Sequence, residues 1–164
     1  GGLKGVLRDE ARTLLPPRYD ADGRFERDHP FVRAVFGDRF GQQCPWNFDV
    51  VPDAGKVSAR ASLQIGPDGA VVKGALLVKE EAWIGSARLD VFQRGPLSDA
   101  GMRLGASEEI REYHLALISL AARLVDKVGQ RKTRGMGWVA ITSDRDAEAD
   151  LDRIWPLRKE ETDG

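Results

Sequence analysis

A chain of 164 residues, 41% hydrophobic and 31% charged, is long enough for one domain with a real core, and none of its apolar runs is long enough to span a bilayer as a helix. The single cysteine, Cys44, excludes a disulfide framework and a cysteine-rich zinc site, and with no basic-then-apolar leader the expected compartment is the cytoplasm. The net charge of -1 is uneven: eight acids against four bases from Thr142 onward give -4, which leaves +3 for residues 1–141, a weak bias that requires any polyanion to be gripped locally.

In chain order, Leu3, Leu7, Ala11 and Leu14 recur at helical spacing, and Lys4, Arg8 and Arg12 lie four apart on another face of a helix over 3–15 that Pro16-Pro17 ends. Residues 16–55, rich in Asp, Gly, Arg and Pro, read as a long loop whose apolar island Phe31–Phe36 makes one helical turn or a short strand. Three strands follow at 56–65, 71–80 and 86–93, the first two joined by a turn at Gly66-Pro67-Asp68-Gly69. After Gly95-Pro96, Ser107 caps a helix whose apolar positions Ile110, Tyr113, Leu117, Leu120, Leu124 and Val128 keep the helical period as far as Gly129. A glycine-rich basic loop, GQRKTRGMG, leads into a strand over WVAIT. From Asp144 the chain is acidic and polar, with Ile154 and Trp155 as its large apolar anchors, which is the composition of a partly disordered tail.

Two segments have the makings of a phosphate site. Gly1-Gly2-Leu3-Lys4-Gly5 opens a helix, whose first-turn N–H groups and positive dipole end favour an anion, and glycine lets a phosphate approach the main chain. The spacing is not that of a Walker loop, and the everyday alternative is a solvated basic face. The second segment sets Arg131, Lys132 and Arg134 among Gly129, Gly135 and Gly137, so that bases neutralise a ribose-phosphate chain lying close to the backbone; its plain alternative is a helix cap with solvated charges.

Other candidates are weaker. Asp20, Asp22 and Asp28 crowd one loop but match no EF-hand, and solvated acids are the simpler reading. His29 and His114 show no partner for general-base work and read as structural or solvent-facing, and Cys44 reads as inert. Trp46, Trp83, Trp138 and Trp155 are scattered and read as core or interface residues rather than base stackers.

Taken in this order, the features resemble the RAMP superfamily of CRISPR effector subunits. Gly2-Leu3-Lys4-Gly5-Val6-Leu7-Arg8 matches the Leu, Lys, Gly and Arg positions of the family's G-S-S-L-K-G-x-L-R segment, with Gly1-Gly2 where serines are usual. Phe36-Gly37 is similar to its F-G, and Arg60 through Phe92, with Lys79-Glu80-Glu81, is similar to its central hairpin and E-x-x-x-x-G-x-x-F region. Arg134-Gly135-Met136-Gly137-Trp138-Val139 matches the R-G-x-G-x-V ending. Within the superfamily the chain looks closest to the repeated backbone subunits of type III-like complexes.

The resemblance implies an α+β, ferredoxin-like (RRM-like) βαββαβ core whose first strand is missing from this chain. That strand, and the following loop that carries a catalytic aspartate in cleaving backbone subunits, would lie upstream of Gly1, so no catalytic residue is assigned. It implies an RNA-binding domain at 1–141 with an acidic tail at 142–164, and a guide RNA held by Gly2, Lys4, Gly5, Arg8, Gly129, Arg131, Lys132, Arg134, Gly135 and Gly137. By the same resemblance the hairpin tip at 66–69 would be a thumb that interrupts the guide–target duplex, and its plain alternative is an ordinary surface hairpin. Expected partners are guide RNA, target RNA and neighbouring RAMP-type subunits or domains, with no membrane and no cofactor in this chain; magnesium enters only if the complex cleaves RNA. The alternatives are an RNA endonuclease of the same superfamily, acting on target through an upstream aspartate or on precursor through His29 or His114, and an assembly subunit that docks protein through helix 107–128 and its tail.

Overall fold

Leu7, Ala11 and Leu15 recur every fourth residue, and in the computed structural model they form the buried stripe of α1 (Leu3–Leu14) and of the residue that ends it. The structure describes residues 2–20, 22–39, 41–65, 67, 71–129 and 137–159. The chain folds as two units, Gly1–Phe48 with Phe92–Gly164, and Asp49–Val91. Its character is mixed α+β, and among the described residues the strands pair two by two, all in separate ladders.

Segment 16–55, which begins in the first unit and ends in the second, is more structured than its composition suggests. After α1 comes a two-residue ladder, β1 (Arg18–Tyr19) with β2 (Phe25–Glu26), whose turn is held by Asp20 accepting from the N–H groups of Asp22 and Arg24. The apolar island is α2 (Pro30–Phe36), a seven-residue helix with proline in its first turn and His29 as its cap: His29 Nδ1 accepts the Phe31 N–H at 3.1 Å. Its end needs glycine, since Gly37 has φ +75° and a Cβ there would lie 2.7 Å from the backbone of Cys44 and Gln42. β3 (Trp46–Pro52) also falls inside the stretch read as loop, and it pairs with β6 (Ala87–Gln93).

α3 (Ser107–Leu124) carries the centre of the core, burying His114 and every residue from Ala116 to Ala122. It packs against α1, and Phe31 of α2 sets its ring edge-on to Tyr113 and His114. The helix stops at Leu124, one turn before Gly129, because the backbone turns extended at Val125, whose side chain is buried. The strand expected at 138–142 is reduced to one antiparallel bridge, Lys127 with Trp138.

The acidic tail is corrected as well. It forms α4 (Ala147–Lys159), packed on α3 through buried Ile154 and Leu157, with Trp155 half-exposed. Arg145 fastens it by donating to buried Asp150 and to Glu112 of α3, and Arg123 of α3 donates to the carbonyls of Ser143 and Arg145. Neutralisation by Asp150, opposed by burial and reinforced by Glu112, raises the Arg145 pKa above its ordinary value. Tertiary contacts therefore order a segment whose composition alone argues against order.

The second unit holds β4 (Lys56–Ile65) and β5 (Val71–Trp83), an antiparallel hairpin in register from Lys56 opposite Trp83 to Ile65 opposite Val71, with an irregularity between Leu63 and Ile65. These strands and β6 follow the sequence pattern closely. Of its turn, Gly66, Asp68 and Gly69 lie outside the described residues. No described helix is long and apolar enough to cross a membrane.

Candidate nucleic-acid interface

Among the described residues no side-chain cap closes the first turn of α1. Gly2 is the N-cap, and its carbonyl accepts from Gly5 N–H at 2.9 Å. Lys4 is exposed. A Cβ added at Gly2 or Gly5 would meet no protein atom within 4 Å, and neither residue has a positive φ, so the fold itself demands glycine at neither position. Glycine inside a helix costs about 0.5–1 kcal/mol relative to alanine, and at Gly5 no packing gain inside the protein offsets that cost.

The rest of the basic stripe is paired within the protein. Arg8 and Arg12 both turn onto Asp28, which is buried just before α2, and Arg12 also pairs with Asp9. Burial alone would push the Asp28 carboxyl up, but hydrogen bonds and charge from Arg12 and Arg8 outweigh it and hold its pKa below the usual value. The same bond from Asp28, opposed by partial burial, raises the Arg12 pKa. Arg8, expected on RNA, is thus a structural cation that ties α1 to the start of α2.

The second basic segment begins and ends on a neck. Val128 N–H donates to the Gly137 carbonyl at 2.8 Å, and Val139 N–H donates to the Asp126 carbonyl at 3.0 Å. Gly129 and Gly137 have φ of +98° and +81°. A Cβ at Gly137 would sit 1.9 Å from the Val128 carbonyl oxygen, so the close approach of the two backbone segments at the neck itself requires glycine here. Gly129 does not cap α3, which ends at Leu124. Arg131, Lys132, Arg134 and Gly135 lie outside the described residues. Among the described residues no hydrogen bond or ion pair joins the first turn of α1 to the neck.

Lys127 and Trp138 are the pair that sequence reasoning passed over. Trp138 is 61% exposed, with Lys127 Nζ 3.9 Å above its ring centroid. The packing role expected of the tryptophans holds for Trp46, which is buried. The available signal was position, since Lys127 and Trp138 bracket the two glycines that bound the basic segment.

The histidines are locked in place. His114 is buried, its Nδ1 accepts from Trp46 Nε1 at 3.0 Å, and its Nε2 lies 2.8 Å from the Ser98 carbonyl, which makes it the Nε2–H tautomer. Burial lowers its pKa and the bond to Ser98 offsets this only in part, so the ring is neutral. His29 is buried as the α2 cap. Neither ring reaches solvent to take a proton from a ribose hydroxyl. Cys44 Sγ is within hydrogen-bonding distance of the carbonyls of Val35 and Trp46.

Asp20 shapes a turn and Asp28 is held by arginine. Among the described residues no group of three or more His, Cys, Asp or Glu converges. A shallow cleft on α3 and α4 is lined by Glu108, Glu109, Glu112, Tyr113 and Arg153, with a charge that repels phosphate. Comparison with known proteins finds no matching family model, no matching curated protein and no matching solved structure.

Proposed function

We propose that the chain is a guide-RNA-binding backbone subunit or domain of a CRISPR antiviral ribonucleoprotein, built on a ferredoxin-like RAMP core and working in the cytoplasm. The observation that carries this reading is the first turn of α1, where Gly2 and Gly5 leave the main chain open and Lys4 stands exposed beside it. An approaching phosphate gives the two glycines a purpose that the fold does not. The bases at 131, 132 and 134 add the second grip, and the β4–β5 hairpin, whose ten-residue strand extends about 33 Å, serves as the thumb that interrupts a guide–target duplex. The weak overall charge suits a subunit that shares its RNA with neighbouring copies or related domains.

The test is the salt dependence of single-stranded RNA binding. With Lys4, Arg131, Lys132 and Arg134 on phosphates, log affinity falls against log salt with a slope of roughly -2 to -3, about -0.7 per phosphate neutralised. Arg131→Ala with Arg134→Ala flattens the slope by about 1.4, whereas Arg8→Ala lowers stability and leaves the slope alone. An unchanged slope in the double variant contradicts the assignment of the loop.

A further inference from the structure

The neck offers a surface that phosphate binding leaves unused. The two hydrogen bonds that flank Lys127 and Trp138 run between their neighbours, Val128 to Gly137 and Val139 to Asp126. That pattern makes Lys127 and Trp138 a non-hydrogen-bonded antiparallel pair, the kind whose side chains approach most closely. The ammonium accordingly settles over the indole, 3.9 Å from its centroid, and holds the ring while 61% of Trp138 remains exposed. Strand alternation puts Asp126 and Val128 on the other face of the ladder, so no acid competes for the cation from its own strand.

An exposed indole backed by a cation on one face suits a flat π system better than an aliphatic side chain on the other. The segment between Gly129 and Gly137 carries Arg131, Lys132 and Arg134 with no acid, which suits a π system borne on a polyanion. Single-strand binders combine these same elements, cations for the backbone and an aromatic face for a base. We propose that Trp138 is a stacking platform for one unpaired nucleobase of the bound RNA strand, with Lys127 fixing the ring from the opposite face. This inference rests on the guide-RNA reading and extends it from phosphate to base. Because every base has a π face, the contact is indifferent to sequence, as a subunit that accepts varied guides requires.

The experiment compares the full chain's affinity for an oligouridine of about ten nucleotides with its affinity for an abasic ribose-phosphate oligomer carrying the same number of phosphates. The wild-type chain prefers the base-bearing strand by about 5- to 150-fold. Trp138→Leu abolishes that preference with the salt slope unchanged, and Trp138→Phe keeps part of it; both replace an exposed side chain and spare the core. Equal affinity of the wild-type chain for the two oligomers, or a preference that survives in Trp138→Leu, overturns the inference and leaves the guide-RNA reading standing. Failure to bind either oligomer overturns both.

Discussion

The helix stripe of α1 and the neck at 126–139 both carry bases in the sequence, yet they use them in opposite ways. In α1, Arg8 and Arg12 turn inward onto buried Asp28 and fasten one helix to the next. At the neck, Lys127 turns onto an exposed indole and leaves a flat surface facing water. A cation in a sequence thus says little until its partner is known. The partner of Arg8 lies 20 residues away, whereas that of Lys127 faces it across a single antiparallel bridge. Within α1 the division falls between Lys4, which is exposed, and Arg8, which is not free.

The sharpest way to break this contrast is to remove the inward partner. Asp28→Asn leaves two guanidinium groups facing an uncharged side chain, and it destabilises the protein by about 2–4 kcal/mol in chemical denaturation, the lower part of the range because the arginines keep some contact with water. A loss below about 1 kcal/mol places the cluster with ordinary surface pairs.

A second inward anchor, His114, predicts a pH dependence. Its folded pKa lies below the ordinary 6.5, so on acidification the unfolded chain takes up a proton that the folded chain refuses. Stability is fully present above about 6.5 and is lost as pH falls from there toward the folded value. Asp28 acts in a separate, lower window, since its stabilisation is present above 3.8 and disappears as pH falls through its depressed value. His114→Gln lowers Tm at neutral pH and removes the decline that sets in as pH falls below about 6.5. A decline that persists in the variant assigns it to another group.

What could be read from the sequence follows from how local each signal is. The i, i+4 recurrence of Leu7 and Ala11 defined α1, alternation defined β4, and a turn signal followed by a β-rich run defined the start of β5, because these patterns depend on near neighbours. α4 was hidden by Pro156 within it and by its acidity, and it is held by Arg145 on Asp150 and by Ile154 and Leu157 on α3, contacts that no local window contains. β3 was overlooked although Trp46, Phe48 and Val50 alternate with Asn47 and Asp49, because the pattern is short, lies inside a polar stretch and ends in a half that is exposed. At the candidate site, Lys4 and the two open glycines were legible from a helix-opening pattern. The capture of Arg8 by Asp28, the self-required Gly137 and the exposure of Trp138 were not, since each depends on a partner or a depth that only the fold specifies.

The smallest energetic change bears most directly on the central claim, that the open backbone of the first turn of α1 exists for a ligand. Gly5→Ala adds one methyl group where no protein atom lies within 4 Å. The predicted result is opposed signs: thermal stability rises by about 0.5–1 kcal/mol, while affinity for single-stranded RNA falls about fivefold or more because the methyl occupies the approach to the main chain. A variant that gains the stability and binds RNA as tightly as the wild-type chain contradicts the claim.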